Sequence, residues 1–173
     1  MSLLIRLMRV VISAFFKRRL GLLEESVLKF RVWPNDLDIY GHMNNGRYLT
    51  IMDLGRMDLI FRTGMIRAAR KYRWNPLVAS SRMRYKKALS LFQRYELSSR
   101  IVCWDGRWFF IEQRFRSRGH EVAVGWIKGL FYGPHGKVPT GEVVKSLNFL
   151  GASPVMPAPL KLWFDSETQG KLV

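Results

Sequence analysis

Cysteine is almost absent from this sequence. Cys103 is the single cysteine among 173 residues, so the chain cannot form an internal disulfide. Nothing in the sequence therefore points to an oxidising compartment, and we expect a cytoplasmic protein. Because no His, Lys or Arg lies directly beside it in the sequence, Cys103 is predicted to be a small buried side chain rather than a nucleophile.

Histidine and acidic residues are also scarce. The three histidines, His42, His120 and His135, show no ligand-like spacing with cysteine or with each other, so no metal site is predicted. Phosphate-loop and dinucleotide fingerprints are missing, so no bound cofactor is expected.

The sequence is strongly basic. It has 29 Lys and Arg residues and 13 Asp and Glu residues, which gives a formal net charge of +16. This charge favours a polyanionic partner, such as nucleic acid, an anionic membrane or a phosphate-rich small molecule like coenzyme A.

The apolar N-terminal segment is interrupted by charge. In residues 2–19, polar side chains recur at helical spacing and form a narrow cationic stripe: Ser2, Arg6, Arg9, Ser13 and Lys17. The pattern predicts an amphipathic helix that is too short and too charged for a confident membrane span. We favour a helix that lies at a membrane surface and is dispensable for folding. Docking onto the protein's own body or a partner subunit, and an uncleaved single span, are the alternatives.

The central part of the chain alternates between strand and helix patterns. Residues 26–33 predict a first strand that ends at Pro34, and a long helix runs from Asn44 or Asn45 to about residue 62. A basic stretch at 65–73 adds a further helical turn or two. Four strands are then predicted, at 77–86, 94–104, 107–117 and 121–132, with Asp105-Gly106 as a hairpin turn. This order implies an α+β domain in which the long helix covers one face of an antiparallel sheet.

We divide the chain into three regions. Residues 1–21 form the amphipathic helix, 22–140 the central domain, and 141–173 a C-terminal extension. The extension has no regular alternation, and the prolines within it favour an extended path. Its short apolar stretch at 160–164 has three possible roles: it could pack on the sheet, cover a pocket or join a subunit contact.

The loop before the long helix concentrates polar residues. Residues 35–48 read N-D-L-D-I-Y-G-H-M-N-N-G-R-Y. At a helix start, unpaired N–H groups and the helix dipole favour negative charge, so they can polarise a substrate carbonyl and stabilise the oxyanion formed during attack. A carboxylate a few residues earlier could reach the same carbon. Thioesters suit this arrangement because a thiolate is a good leaving group and needs little acid assistance.

This stretch resembles the D-x-D-x-x-G-H-x-N-N-x-x-Y signature of the 4-hydroxybenzoyl-CoA thioesterase-like branch of the hotdog superfamily. The resemblance covers about residues 26–139. It implies a hotdog fold, in which an antiparallel β-sheet wraps around one long central helix, here with an extra N-terminal helix and a C-terminal extension. It also implies hydrolysis of acyl-CoA or an acyl-carrier thioester in lipid metabolism, at a site between subunits. A homodimer or homotetramer is therefore expected.

The same resemblance suggests roles for single residues. The second aspartate of the signature, Asp38, becomes the catalytic carboxylate, and the backbone amide of Asn45 or a neighbour polarises the thioester carbonyl. His42 is a further catalytic candidate, with hydrogen bonding inside the loop as the alternative. Three residues are substrate-binding candidates, although a turn, a helix cap and a core position are the respective alternatives: Gly41, Asn44 and Tyr48.

Other acidic residues near the signature have structural interpretations. Asp36 is predicted to shape the loop. Asp53 and Asp58 are formal alternatives to Asp38, because relatives elsewhere in the superfamily use an acidic residue on the central helix. Arg56 and Arg62 follow them at i+3 and i+4, which predicts solvated ion pairs on the exposed face of the helix.

Two other functions are open at the level of sequence. One is a non-catalytic acyl- or lipid-binding protein at a membrane surface. The other is a nucleic-acid binder, whose basic and aromatic sheet surface would comprise Trp104, Trp108, Phe110, Arg114, Arg116 and Arg118. No RNA-binding signature supports the latter, so it is not favoured. If coenzyme A binds, its phosphates have candidate contacts in Arg82, Arg84, Lys86 and Lys87.

Overall fold

A curled antiparallel sheet with a long helix against its inner face organises the chain. The computed structural model describes residues 2–169. The helices are α1 (Leu3–Phe16), α2 (Asn45–Arg62), α3 (Met65–Tyr72), α4 (Thr140–Ser146) and α5 (Ala158–Gln169). The strands are β1 (Ser26–Arg31), β2 (Asn75–Tyr85), β3 (Arg94–Trp104), β4 (Phe109–Ser117), β5 (His120–Gly133) and β6 (Gly136–Val138). This is the predicted α+β hotdog arrangement.

The sheet places β2 at a free edge. Its strand order is β1-β3-β4-β5-β2, with the short β6 also paired to β5. The strands β3 and β4 form the predicted hairpin, in which the Asp105 side chain accepts hydrogen bonds from the backbone N–H groups of Arg107 and Trp108 at 2.7 and 2.6 Å. Every residue of β2 except Ser80 and Met83 is exposed. The sheet edge formed by β2 is therefore open to a partner.

The long helix α2 packs closely on the inner face of the sheet. The predicted stripe of Tyr48, Met52, Gly55 and Leu59 is buried. A Cβ atom at Gly55 would lie within 2.7 Å of side chains on β3 and β4, so only glycine allows this approach. The Gln113 side chain crosses the same contact and donates to the Met52 carbonyl at 2.9 Å.

The outer face of the sheet is covered by α5, which the sequence did not predict. Leu160 and Trp163 on this helix pack with the buried Phe110 and Cys103. Burial raises the pKa of the Cys103 thiol to about 11, which agrees with a structural cysteine. This face does not form the surface of the alternative, disfavoured nucleic-acid binder, because Phe110 lies under α5 and Trp104 packs against a second core cluster.

The N-terminal helix α1 docks on the body of the protein through part of its cationic stripe. Arg6 is buried and lies 2.5 Å from the buried Asp36, and Lys17 lies 3.3 Å from Asp58. Val10 joins the main core cluster. These contacts argue against the prediction that this segment is dispensable for folding, because its removal would take one cationic partner away from each of two buried carboxylates. Within residues 2–169, no helix is long and apolar enough to cross a bilayer.

Candidate functional site

The signature loop is closed by backbone hydrogen bonds. A β-bridge joins Leu37 and Met43, and inside it the Asp38 N–H donates to the His42 carbonyl at 2.8 Å. The Gly41 N–H donates to the Asp38 carbonyl at 3.1 Å. Gly41 has a φ of +76°, a conformation that strains other residues, so its role is the predicted turn. The loop is a tight and defined support for Asp38.

The Asp38 carboxylate is fixed on one side only. Its Oδ1 accepts from the N–H groups of Tyr40 and His42 at 2.9 and 3.3 Å. Among the described residues none donates to Oδ2, and the side chain is partly exposed. Asp38 therefore has a restrained orientation and an oxygen that remains available to a substrate or a water molecule.

The start of α2 presents a backbone donor beside this loop. The Asn44 side chain caps the helix by accepting from the Gly46 N–H at 2.8 Å, as predicted for an N-cap. The Asn44 N–H donates to the Asp36 carbonyl at 2.9 Å. Over the described part of the chain, the exposed Asn45 N–H has no hydrogen-bond acceptor. It is a free donor at the positive end of the helix dipole.

Of two other predicted site residues, His42 is exposed to solvent and Tyr48 is buried in the core. The His42 ring is exposed and makes no hydrogen bond to a described residue, whereas its backbone closes the loop. Tyr48 is only 2% exposed and packs in the core, where burial raises the pKa of its hydroxyl to about 12. The substrate-binding role for Tyr48 is therefore not supported, and its alternative core position is the one observed.

Asp36 lies two residues before Asp38 but has a different environment. It is buried, and its Oδ2 accepts from Arg6 Nη2 at 2.5 Å and from the Trp33 N–H at 2.9 Å. Arg47 Nε lies 3.2 Å from its other oxygen. These contacts join α1, the first turn of α2 and the loop at one carboxylate. Asp36 thus has the predicted loop-shaping role.

The prediction of a solvated ion pair at Asp58 was wrong. Asp58 does pair with Arg62, at 3.1 Å, but it is fully buried. Ser26 Oγ donates to it at 2.5 Å and Lys17 Nζ at 3.3 Å. These partners come from β1 and α1, which are distant in sequence, so the local i+4 spacing could not predict the burial.

Asp53 makes the predicted ion pair with Arg56, but Arg56 is only 13% exposed rather than solvated, and Asp53 also borders a cavity. Its side chain is 61% exposed and pairs with Arg56, which in turn donates to Gln113 Oε1 at 3.1 Å. Burial lowers the pKa of the Arg56 guanidinium, an effect that Asp53 partly offsets. The charge of Asp53 is thus tied to a neighbouring cation.

The cavity beside Asp53 is apolar and has a volume of about 290 Å³. It lies between α2 and the strands β2 and β5, and its lining is apolar or glycine apart from Asp53 and Arg56. The lining includes Met57, Ile60, Pro76, Leu77, Val78 and Phe131. No sequence pattern indicated this cavity, because its walls come from six separate elements: α2, α3, β2, β3, β4 and β5. The described residues contain no group of His, Cys, Asp and Glu that could hold a metal ion.

Comparison with known protein families identifies the architecture. The model of the family described as "Thioesterase-like superfamily" matches residues 32–164. The chain belongs to the thioesterase-like superfamily. The match begins just before the signature loop and extends into α5, so it includes both Asp38 and the helix on the outer face.

Individual relatives agree with this assignment. Protein THEM6 of Danio rerio is 41% identical over 96 residues, which are 56% of this chain and 48% of that protein. The chain spans about half the length of the first curated relatives it matches.

Solved structures of the superfamily resemble the fold. The crystal structure of YbaW, a probable thioesterase of Escherichia coli, has a TM-score of 0.66 at 20% identity, covering 70% of this chain and 95% of that one. The gentisyl-coenzyme A thioesterase BH1999 has a TM-score of 0.62 at 19% identity, covering 69% and 99%. At these identities the likeness concerns the fold, and residue roles depend on this chain's own geometry.

Proposed function

We propose that this protein hydrolyses acyl-CoA or acyl-carrier thioesters, with Asp38 as the catalytic carboxylate. The observation that carries the proposal is that two groups occur together in the signature loop and the helix start that follows it. They are the Asp38 carboxylate, which is restrained through one oxygen only, and the free N–H of Asn45 at the start of α2. Membership of the thioesterase-like superfamily supports the reaction class. The solved gentisyl-coenzyme A thioesterase supports coenzyme A as one thiol component.

The chemistry follows from the two groups. The thioester carbonyl oxygen accepts from the Asn45 N–H, and the helix dipole stabilises the negative charge that develops on it. Asp38 either attacks the carbonyl carbon or removes a proton from an attacking water. When water attacks, the carbon–sulfur bond then breaks, the proton on Asp38 passes to the departing thiolate, and the thiol and the carboxylic acid leave; when Asp38 attacks, the thiolate leaves first. In the covalent route, water hydrolyses the acyl-Asp38 anhydride in a second step.

Cations near the start of α2 suit the phosphates of coenzyme A. The Tyr85 hydroxyl at the end of β2 donates to the Asn45 carbonyl at 3.1 Å, so this end of the strand adjoins the site. Lys86 is already paired with Glu121 at 2.5 Å. We therefore propose the exposed Arg84 and Lys87 as the first phosphate contacts.

We propose a homodimer formed by pairing β2 with β2 of a second copy. A long exposed edge strand is an aggregation hazard unless a partner covers it. The outer face of the sheet is occupied by α5, so packing through that face is disfavoured. Antiparallel pairing about a twofold axis brings the Asn75 end of one β2 beside the Tyr85 end of the other.

This pairing would combine parts of two copies in one site. The apolar cavity adjoins the N-terminal end of β2, through Pro76 and Leu77, whereas Asn45 adjoins the C-terminal end. The loop of one copy therefore faces the cavity of the other. The apolar lining suits an acyl chain or an aromatic acyl group.

A thiol-release assay on purified protein tests the reaction. It would use short, medium, long-chain and aromatic acyl-CoAs and carrier-protein thioesters, with wild type and Asp38→Asn compared on each. We expect hydrolysis of at least one class, and its loss in the variant. Binding of an acyl-CoA without hydrolysis of any thioester would instead identify a non-catalytic acyl-binding protein.

A mixed dimer tests the shared site. Asp38→Asn removes the carboxylate, and Met57→Trp fills the cavity from a half-buried position. If each site combines one loop with the partner's cavity, a heterodimer of these two inactive variants keeps one intact site, and mixing restores activity. If a verified heterodimer remained inactive, each active site would be formed by the loop and the cavity of the same copy.

Asp53 is a second candidate carboxylate, favoured by its place at the rim of the cavity. In the proposed dimer it approaches the Asn45 N–H of the partner copy. Its pairing with Arg56 reduces its strength as a base, so Asp38 remains the first candidate. The variant Asp53→Asn separates the two assignments.

A further inference from the structure

The outward side of α1 is an apolar ridge. We define this outer face as Leu4, Ile5, Met8, Ile12, Phe15 and Phe16, all of which are exposed, with Phe15 and Phe16 at 71% and 87%. A surface helix on a globular protein normally turns its polar side to water. Here the arrangement is reversed, so an apolar surface suited to a non-aqueous partner is left uncovered.

Two ion pairs hold the helix in this orientation. Arg6 reaches the buried Asp36 and Lys17 reaches the buried Asp58, while Val10 and Ala14 pack beneath. Rotating α1 to bury its outer face would break both pairs and take one cation away from each of two buried carboxylates, which costs free energy. The apolar ridge is therefore a fixed feature of the folded domain.

Cations flank the ridge on both sides. Between α1 and β1 lies a groove of about 660 Å³, and its basic residues include Arg9, Lys29, Arg31 and Arg94. Between α1 and α3 lies a groove of about 600 Å³, and its basic residues include Arg19, Arg67 and Arg70. The described residues that line the two grooves include no Asp or Glu.

We propose that this surface docks on an anionic lipid bilayer. The outer face of α1 would enter the headgroup and acyl boundary, and the flanking cations would contact lipid phosphates. A nucleic acid would use the cations but leave the apolar ridge in water. A second copy would cover the ridge but bring two positively charged surfaces together, which costs free energy. A bilayer alone satisfies both features.

Vesicle co-sedimentation of the full chain tests the proposal. We would use vesicles of phosphatidylcholine alone and of phosphatidylcholine mixed with phosphatidylserine. The variant that combines Ile12→Gln and Phe16→Gln removes apolar area at exposed positions and spares the buried contacts. We expect it to lower the partition coefficient on anionic vesicles at least about tenfold. The matched control is Leu150→Gln, since Leu150 is fully exposed and distant in sequence; it should bind like wild type.

The cations are tested separately by Arg67→Gln with Arg70→Gln. Each lost charge should weaken binding to anionic vesicles about fivefold, and added salt should reduce the difference. A Phe16→Trp variant should gain quenching by brominated lipid over the wild-type background. None of these exposed variants should change hydrolysis of a soluble thioester without vesicles, so this proposal and the catalytic one fail independently.

Three outcomes would overturn the proposal. Equal sedimentation of wild type and the Ile12→Gln, Phe16→Gln double variant would show that the ridge does not contribute to membrane binding. Binding that depends on the arginines but not on the ridge, and that oligonucleotides abolish, would identify a polyanion surface. Self-association in the absence of lipid that the ridge variant abolishes would identify a second copy as the occupant.

Discussion

Asp36 and Asp38 are two residues apart, yet they have opposite surroundings. Asp36 is buried between Arg6 and Arg47, whereas Asp38 is partly exposed and accepts only from N–H groups of its own loop. A buried carboxylate that contacts two cations, as Asp36 does, links the helices that carry those cations to the loop. One that keeps an oxygen toward solvent can act on a substrate. Exposure and partners, rather than residue type, separate a structural aspartate from a chemical one.

The largest expected effect is on catalysis at Asp38. Asparagine has nearly the same shape and can still accept the N–H bonds of Tyr40 and His42 through its side-chain oxygen. It cannot attack as a carboxylate or take a proton from water. We expect Asp38→Asn to lower kcat about 10²-fold to 10⁴-fold or more, as for loss of a general base. Folding and oligomeric state should stay near those of wild type.

The control is a thermal melt and a size measurement on the same preparation. If Asp38→Asn unfolded at a clearly lower temperature than wild type, the carboxylate would be a structural group like Asp36. The contrast between the two aspartates would then disappear.

Next in size is the effect of Asp36 on stability. Asp36→Asn leaves Arg6 buried beside a neutral amide, and removing one partner of a buried ion pair costs about 3–5 kcal/mol. We expect that loss in the free energy of unfolding, measured by urea denaturation. Activity should fall only as far as the folded fraction falls. A variant that stays stable but loses kcat would transfer the catalytic role to Asp36.

Local patterns were sufficient for much of the fold. The residues 94–104 alternate with period two and end at a turn sequence, and β3 has these bounds. The helix from Asn44 or Asn45 was also correct, because its N-cap and its apolar stripe are encoded within a few residues of one another. The signature loop could be found for the same reason, although the free Asn45 N–H needed the folded chain to be seen.

Features that depend on distant contacts could not be predicted. The α5 helix follows a proline-containing segment, and its position depends on the outer-face residue Phe110. Asp58 has the spacing of a solvated pair, but its burial comes from Ser26 and Lys17. The orientation of α1 was missed because an amphipathic pattern gives two faces without saying which one turns inward.

A smaller effect is expected when the cation, rather than the carboxylate, is changed. Arg6→Lys keeps the charge toward Asp36 and removes the buried Arg6 Nε, which has no hydrogen-bond partner among the described residues. Lysine loses the planar geometry of the guanidinium, so some of the contact at Oδ2 is weakened. We expect a loss of about 1 kcal/mol in the free energy of unfolding by urea denaturation, well below that of Asp36→Asn. Equal losses would mean that the guanidinium geometry, and not the charge, stabilises the loop.

The smallest effect is expected at Asp53, and it decides between two sources of the catalytic carboxylate. The Asp53 side chain is mostly exposed, so losing its pair with Arg56 should cost about 0–1 kcal/mol of stability. Arg56 keeps its hydrogen bond to Gln113, so the wall of the cavity should persist. If Asp38 supplies the reactive carboxylate, Asp53→Asn should keep kcat within about threefold of wild type, far from the loss expected for a general base. The same thiol-release assay would report both variants. Loss of activity in Asp53→Asn with Asp38→Asn still active would place the chemistry on α2, and the partly exposed loop aspartate would then be only a loop-capping group.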